Sequence, residues 1–161
     1  MNLSDYESTR GPRMTRRALR GFSPAAFAAA RASRNVSVAD LARMANVTHG
    51  TIYNWEAGKV TPQVDLLARV MNYLDAPIEN VVIIDPDERY PGDWRVIRGM
   101  MQPELAAAAG IATTTLRGIE QASAALTDAN AEKLAGLLGI SADEYRAAYQ
   151  RCRQRPPGTS A

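Results

Sequence analysis

The residues of this chain that are best suited to contact a ligand are concentrated between positions 49 and 54. The set comprises His49, Gly50, Thr51, Tyr53 and Asn54. If the segment is helical, Ile52 and Trp55 turn to the opposite, inward face and leave this set exposed. An asparagine amide on such a face can pair with N6 and N7 of adenine. The set therefore suits contact with base edges in the major groove of DNA.

Enzymatic and metal chemistry are not expected from the composition. His49 is the only histidine, so a metal site or a histidine-based catalytic set would lack partners. Cys152 is the only cysteine, which excludes an intrachain disulfide and leaves packing as its simplest role. No phosphate-binding loop or Ser-His-Asp arrangement is recognisable. We therefore expect no enzyme activity, no metal and no cofactor.

Two short helices around a tight turn are predicted to position the polar face. Ser37 suits the N-cap of the first helix, and Asn46 tolerates the left-handed backbone that ends a helix sharply. Thr48 suits the N-cap of the second helix, which is predicted to run over His49–Ala57 and to stop at Gly58. This arrangement is a helix-turn-helix, whose second helix lies in the DNA major groove.

The turn and its flanks resemble the Cro/repressor (XRE-type) helix-turn-helix family. The matching residues are Leu41, Ala42, Asn46, Val47, Thr48, Ile52, Trp55, Glu56, Gly58, Lys59, Pro62, Leu66, Leu67 and Leu74. The resemblance covers residues 24–81 and implies an all-α, lambda-repressor-like domain of five helices that binds double-stranded DNA. It also implies a transcriptional regulator, with a repressor of phage or mobile-element type, acting in phage immunity, as the favoured interpretation.

The resemblance also implies roles for individual residues. The base-contacting set would be His49, Gly50, Thr51, Tyr53 and Asn54, with His49 and Asn54 as its principal members. The phosphate-contacting set would be Ser37, Val38, Thr48, Lys59, Arg34 and Arg43, and a solvated surface role stays open for Arg34 and Arg43. Val38 stands where the family often has a glutamine that touches DNA or a neighbouring side chain. Arg31 and Glu56 are expected to form a structural pair.

The same pattern repeats at a spacing of 64 residues without a gap. This shift aligns Leu105 with Leu41, Gly110 with Asn46, Leu116 with Ile52, Ile119 with Trp55, Glu120 with Glu56 and Arg95 with Arg31. We therefore predict an all-α fold of two tandem five-helix helix-turn-helix domains. Gly118, Ala122 and Ser123 replace Asn54, Gly58 and Lys59 in the second copy. A glycine inside a helix costs about 1 kcal/mol relative to alanine, so we interpret the second copy as degenerate.

Turn and cap signals divide the chain into five parts. These are a basic disordered arm at 1–23, a DNA-binding domain at 24–82, a linker at 83–87, a degenerate second domain at 88–152 and a disordered tail at 153–161. A cap followed by proline starts the first helix at Ser23-Pro24 and the fourth at Thr61-Pro62, and residues 77–82 are predicted to form a short fifth helix. In the arm, the candidates for following the DNA minor groove are Arg13, Arg16, Arg17 and Arg20.

The net charge of +2 conceals an uneven distribution. Residues 1–23 carry five arginines against two acidic residues, whereas residues 82–145 carry five basic against ten acidic residues, a net charge of −5. The second domain could contact DNA through Thr113, Thr114, Thr115 and Arg117. An acidic surface is a poor partner for a polyanion, so we favour an interaction module, and homodimerisation through it stays open.

A different class of function is an antitoxin or protein-binding adaptor whose DNA binding is autoregulatory. A toxin-like protein that co-purifies would distinguish this alternative from a dedicated repressor.

The sequence shows no segment for membrane insertion or secretion. No apolar run approaches the length of about 20 residues that is needed to cross a bilayer, and no secretion signal is visible. We therefore expect a cytoplasmic protein without a membrane partner. No small-molecule domain is recognisable, and we expect no such ligand.

Overall fold

The computed structural model describes residues 18–161, and within them the fold is all α-helical, as predicted. The α-helices are α1 (Pro24–Ser33), α2 (Val38–Ala45), α3 (His49–Glu56), α4 (Val64–Tyr73), α5 (Pro91–Ile97), α6 (Gln102–Ala109), α7 (Thr113–Glu120), α8 (Asp128–Leu138) and α9 (Ala142–Arg153). The described chain also contains 3-10 turns at Ile78–Asn80 and Pro86–Glu88 and an isolated β-bridge between Phe22 and Val82. None of the described helices is long and apolar enough to cross a membrane.

The first three helices of the first copy begin where local capping residues predicted. Ser37 and Thr48 each accept a hydrogen bond from the N–H three residues further on, so they cap α2 and α3. α2 ends at Asn46, whose φ of 53° is left-handed. The predicted cap at Ser23, followed by Pro24 in the first turn of α1, is also confirmed. These short-range bonds fix the geometry of the turn before α3.

Two other boundaries in the first copy were predicted wrongly. α4 begins at Val64 rather than Pro62, and Thr61 Oγ1 accepts the Leu19 N–H at 2.7 Å instead of capping the helix. The fifth helix expected over 77–82 is only a 3-10 turn, because the chain leaves it to form the β-bridge. Within the described residues, the first copy thus has four α-helices and the second has five.

Each copy has a hydrophobic core of its own. In the first, the fully buried residues include Phe27, Leu41, Ile52, Leu67 and Val70. In the second, they include Leu105, Leu116, Ile119, Leu134 and Tyr145. Ala42 and Ala45 are buried as well, and their small size lets α2 and α3 approach closely.

The two copies pack directly against each other. Val96 and Ile97 on α5 belong to the core of the first copy, although they lie in the second copy's sequence. Ile84, within the expected linker at 83–87, is buried in the same core. The second copy therefore helps to complete the core that supports α3.

The segment 153–161, which we expected to be a disordered tail, has defined structure at its start. Arg153 is the last residue of α9. Arg155 Nη1 donates to the Gln121 carbonyl at 2.9 Å and to the Cys152 carbonyl at 2.7 Å. These bonds attach the beginning of the tail to the end of α7, because a guanidinium can satisfy several carbonyl oxygens at once.

Candidate nucleic-acid interface

The candidate recognition helix, α3, is divided into a buried face and an exposed face. Ile52 and Trp55 are buried, and the Trp55 ring meets Phe27 edge-on with 5.6 Å between ring centroids. Of the predicted base-contacting residues, His49, Gly50 and Tyr53 are exposed, and Thr51 and Asn54 are half-buried. The helix ends at Glu56, one residue earlier than predicted, because Ala57 is its C-cap.

The polar side chains on this face differ in the contacts that they already make within the protein. The Thr48 and Thr51 hydroxyls lie 2.9 Å apart, so Thr51 takes part in the cap of its own helix. The His49 ring lies edge-on to Tyr53 at 6.0 Å between centroids. Asn54 lines a surface groove, and its amide makes no hydrogen bond to any described residue. The donor and acceptor of Asn54 thus remain available within the described part of the chain.

A bidentate ion pair joins the end of α3 to α1. Arg31 Nε lies 2.5 Å from Glu56 Oε1, and Arg31 Nη2 lies 3.2 Å from Glu56 Oε2. The remaining nitrogen, Nη1, donates to the Val36 carbonyl at 3.0 Å. The hydrogen bond to Glu56 raises the pKa of Arg31 above its ordinary value. The expected structural pair is therefore formed, and it orients α3 without using the exposed face.

Four of the predicted phosphate-contacting residues lie close to the ends of α2 and α3. Ser37 and Thr48 are exposed, but their hydroxyls accept backbone N–H groups as caps. Val38 is half-buried and packs against the core of the first copy. Lys59 is exposed just beyond α3. A lysine in this position can neutralise a phosphate of DNA that lies along the helix.

The two arginines of the predicted phosphate set already have partners on the surface. Arg34 Nη2 donates to the Asp75 carbonyl at 2.8 Å. Arg43 Nη2 donates to Asp40 Oδ1 at 3.3 Å, and this bond is the main reason why the pKa of Asp40 is lowered. Exposed pairs of this kind are weak, so phosphate can compete for either arginine.

Arg20, the one arm arginine among the described residues, is engaged at the junction between the two copies. Its guanidinium pairs with Asp93 and lies 4.0 Å from the centroid of the Tyr90 ring. Burial raises the pKa of the Asp93 carboxyl, while the hydrogen bond from the Tyr90 N–H and the charge of Arg20 act in the opposite direction. The other arm candidates, Arg13, Arg16 and Arg17, lie outside the described residues. Arg20 is therefore engaged at the junction between the copies, and its contact with DNA stays a prediction.

The second copy reproduces the scaffold of the motif. Arg95 Nε lies 2.6 Å from Glu120 Oε1, and Arg95 Nη2 lies 3.1 Å from Glu120 Oε2. Arg95 Nη1 also donates to the Met100 carbonyl at 2.8 Å. Gly110, with φ 69°, occupies the left-handed turn that Asn46 forms in the first copy. The retained features are those that hold helices together.

The exposed face of α7 has a different chemistry from that of α3. Its predicted DNA-contacting residues are Thr114, Thr115 and Arg117, which are exposed, and Thr113, which is half-buried. Gln102 occupies the position of Val38, and its Nε2 donates to Glu120 Oε2 at 2.7 Å. Sequence analysis did not single out Gln102, although the 64-residue alignment of the copies points to it. Its amide is engaged within the scaffold.

The loop after α7 corrects our interpretation of Gly118. A Cβ at Gly118 would lie 2.8 Å from the Ala124 Cβ. The Gly118 carbonyl accepts the N–H groups of Ser123 and Ala124 at 2.9 and 3.1 Å. Gly118 therefore lets the following chain fold back onto α7. Ala122, at the position of Gly58, is left-handed with φ 56°, a conformation that costs a residue with a Cβ about 1–2 kcal/mol.

Sequence reasoning missed the residues that join the copies, Asp93 and Tyr90. Both contact Arg20, and Asp93 lies 73 residues further along the chain. No local pattern relates positions so far apart, and the charge run around Arg20 favoured a solvent-exposed arm. An aligned set of related sequences with covarying charges at both positions could have found this pair.

The potential metal ligands among residues 18–161 are scattered, and the thiol of Cys152 is buried. Among residues 18–161, no three His, Cys, Asp or Glu side chains are grouped to hold a metal ion. Cys152 is buried, its Sγ donates to the Glu120 carbonyl at 3.3 Å, and burial raises the pKa of the thiol. A thiol with a raised pKa is held in its less reactive protonated form, which fits a packing role.

Comparison with known proteins finds the same motif in both copies. A family model described as Helix-turn-helix matches residues 16–80 and, separately, residues 93–145. The first match contains α1–α4, and the second contains α6–α8. Together the two matches cover more than half of the chain. No curated protein shows significant similarity to it.

Proposed function

Since the chain belongs to the Cro/repressor (XRE-type) helix-turn-helix family of DNA-binding transcription regulators, we propose that it is a repressor of phage or mobile-element type. α3 would lie in the major groove of an operator, with His49 and Asn54 contacting bases. Gly50, Thr51 and Tyr53 would complete the contact surface. Lys59 and the N-termini of α2 and α3 would contact phosphates. Occupancy of the operator would then block transcription.

The observation that supports this proposal best is that α3 is held by one face and leaves polar groups available on the other. Trp55 is buried, and Glu56 is bound to Arg31, so the helix is held firmly by one side. The amide of Asn54 and the exposed ring of His49 are not needed for that support. A rigid helix with available polar groups is what direct contact with base edges requires, since each good bidentate contact discriminates by about 1–3 kcal/mol.

We propose different roles for the first domain, at 24–82, and the second, at 88–152. The acidic balance of residues 82–145 and the exchange of Lys59 for Ser123 both disfavour phosphate contact by the second domain. α5 of the second domain packs into the core of the first domain, so the second domain already makes a protein contact within the same chain. These features favour an interaction module over a second DNA-reading domain.

The test begins with selection of a binding sequence from a random DNA pool by the full-length protein. Asn54→Ala is then compared with Asn72→Ala, which makes the same chemical change on the exposed side of α4. Asn54→Ala should cost on the order of 1–3 kcal/mol on the selected duplex and little on a random duplex. Asn72→Ala should change neither affinity.

Two outcomes would contradict the proposal at different levels. Equal weakening on both duplexes would mean that Asn54 contacts no base. Failure to enrich any sequence would mean that the protein does not bind DNA sequence-specifically. Footprinting of the selected duplex, combined with the stoichiometry of the complex from analytical ultracentrifugation, would show whether one or two chains occupy the site.

A further inference from the structure

The chain just before α1 is attached to the rest of the molecule at successive residues. The Leu19 N–H donates to Thr61 Oγ1 at 2.7 Å, and the Ile83 N–H donates to the Gly21 carbonyl at 2.8 Å. Gly21 has φ 77°, and a Cβ there would lie 2.5 Å from Ile84 Cγ1. Both the conformation and the space therefore require glycine, and the direction of the chain at this point is set by its contacts.

The second domain holds the same segment through Arg20. The Arg20 guanidinium pairs with Asp93, lies 4.0 Å from the Tyr90 ring centroid, and donates to the Glu88 carbonyl at 3.5 Å. Asp93 is only 6% exposed and also accepts the Tyr90 N–H at 2.7 Å. The carboxylate is thus fixed before it meets Arg20. A buried, hydrogen-bonded acceptor makes this a defined attachment rather than a loose surface pair.

The attached segment begins beside the proposed DNA-contacting residues. Ala18 lines a surface groove together with Asn54, Gly58 and Lys59. The sequence before it carries four arginines, Arg10, Arg13, Arg16 and Arg17. Ala18, the residue to which this basic sequence is joined, therefore lies beside the end of α3, in a position that the contacts of Leu19 and Arg20 hold in place.

The geometry points to Asp93 as a positioning residue for DNA binding: by holding Arg20, it fixes where the basic segment 1–17 starts toward DNA phosphates. This inference rests on the proposed function, because it needs the first domain on DNA. Once the first domain is on DNA, the attached segment binds phosphates within the same complex. The effective concentration of its arginines at the phosphates then depends on where the segment is attached. A start that is ordered before binding also reduces the entropic cost of binding. Asp93 itself makes no contact with DNA in this arrangement.

The sign of the effect separates positioning from simple electrostatics. An acidic residue near DNA repels phosphates, so on charge alone its removal should strengthen binding. Removal of a positioning residue should weaken binding, although the protein becomes more positive. Loss of Asp93 therefore has opposite consequences under the two explanations.

The experiment compares Asp93→Asn with Asp143→Asn in the full-length protein. Asp143 is an exposed carboxylate that pairs with Arg146 at 3.3 Å, so its substitution removes the same charge away from the junction. The probe is a random-sequence duplex titrated at several salt concentrations, because binding to phosphates needs no particular sequence. Asp93→Asn should lower affinity several-fold and reduce the log–log salt slope by about 0.9 for each phosphate that the segment no longer neutralises. Asp143→Asn should leave the slope unchanged and the affinity unchanged or slightly higher.

A double-mutant cycle shows whether Asp93 acts through the basic segment. The second background carries Arg10→Gln, Arg13→Gln, Arg16→Gln and Arg17→Gln. In it, Asp93→Asn should have no further effect, because the arginines that it positions are already absent. An equal loss of affinity in both backgrounds would mean that Asp93 only stabilises the fold. No loss of affinity in the parent background would also overturn the inference.

Thr61→Val tests the same segment from the side of the first domain. It removes the acceptor of the Leu19 N–H while keeping the shape of the side chain, so it serves if circular dichroism shows that Asp93→Asn does not fold. It should weaken binding in the parent background and not in the glutamine background, and unchanged binding in both would overturn the inference. The proposed function can fail separately from this inference. In that case no sequence is enriched, or Asn54→Ala weakens binding to both duplexes equally. The double-mutant cycle on random DNA would still show that Asp93→Asn weakens binding only while the four arginines are present.

Discussion

In both copies of the motif, an arginine of the first helix and a glutamate at the end of the recognition helix form a bidentate pair, Arg31–Glu56 and Arg95–Glu120. The first pair is the more exposed, with side chains 20% and 16% accessible against 12% and 6% in the second. Gln102 adds a third hydrogen-bonding group to the second pair. The scaffold is therefore reinforced in the copy whose exposed face has changed.

The surfaces around the two recognition helices differ more than the cores beneath them. The first copy has Asn54 and Lys59 where the second has Gly118 and Ser123. Gly118 serves the backbone of its own loop, because Ala124 leaves no room for a side chain. Helix packing can therefore be kept while the groups suited to bases and phosphates are exchanged for groups that serve the fold.

The largest expected effect tests whether the second pair carries more of the stability than the first. Glu120→Ala would leave the largely buried Arg95 without its carboxylate partner and should cost about 3–5 kcal/mol. Glu56→Ala should cost less, because water can solvate Arg31. Urea unfolding followed by tryptophan fluorescence measures both, with Trp55 in the first copy and Trp94 in the second as probes.

A control for this comparison is Asp128→Ala, which breaks the exposed pair with Arg146 and should cost no more than about 1 kcal/mol. Equal destabilisation by Glu120→Ala and Glu56→Ala would contradict the view that the second scaffold is the more strongly held. Weaker DNA binding by Glu56→Ala with unchanged stability would show that Glu56 serves DNA contact instead.

A smaller effect tests the role of Gly118 in the second copy. Helix propensity alone predicts that Gly118→Ala stabilises the fold by about 1 kcal/mol. The contact with Ala124 predicts destabilisation instead, by about 1–3 kcal/mol, because the added methyl overpacks the loop. Gly136→Ala in α8 is the matched control, since nothing lies within 4 Å of its Cβ, and it should stabilise the fold by about 1 kcal/mol. Thermal unfolding shows whether each variant is stabilised or destabilised. Stabilisation by both would mean that Gly118 only weakens its helix and has no role in the loop.

The smallest expected effect concerns DNA contact by the second copy. Thr114→Ala combined with Arg117→Ala alters the exposed face of α7 and leaves its core intact, so affinity for the selected duplex should change by less than about 0.5 kcal/mol. The corresponding variant of the first copy, His49→Ala with Tyr53→Ala, should weaken binding by about 1 kcal/mol or more. Fluorescence anisotropy measures both. Comparable weakening by the variant of the second copy, with a shortened footprint, would show that both copies contact DNA.

Several features of the fold and of the candidate site could be predicted from short-range sequence patterns. The caps at Ser37 and Thr48 and the left-handed turn at Asn46 depend on residues within four positions of each other. The pair between Arg31 and Glu56 followed from the family resemblance, and the 64-residue repeat then placed its counterpart. Base contact by His49 and Asn54 stays a prediction, since it depends on a DNA partner.

Two polar groups have partners far away in the chain that the sequence did not predict. Thr61 looked like a helix cap but accepts the Leu19 N–H, and Arg20 looked like part of a DNA-binding arm but pairs with Asp93. In each case the local pattern was sound, and a distant partner competed for the same polar group. Hydrogen-bonding capacity is visible in a sequence, whereas the identity of the partner is not.

The motif, its duplication and the helix boundaries set by capping follow from the sequence alone, because periodicity and caps are local properties of the chain. By contrast, the packing of α5 into the first core and the attachment of the segment before α1 to Asp93 depend on how the whole chain folds. The reason is that burial removes water from polar groups, so a buried polar group is stabilised by whichever partner the packing brings near it. Packing of the two copies, and not local pattern, selected those partners.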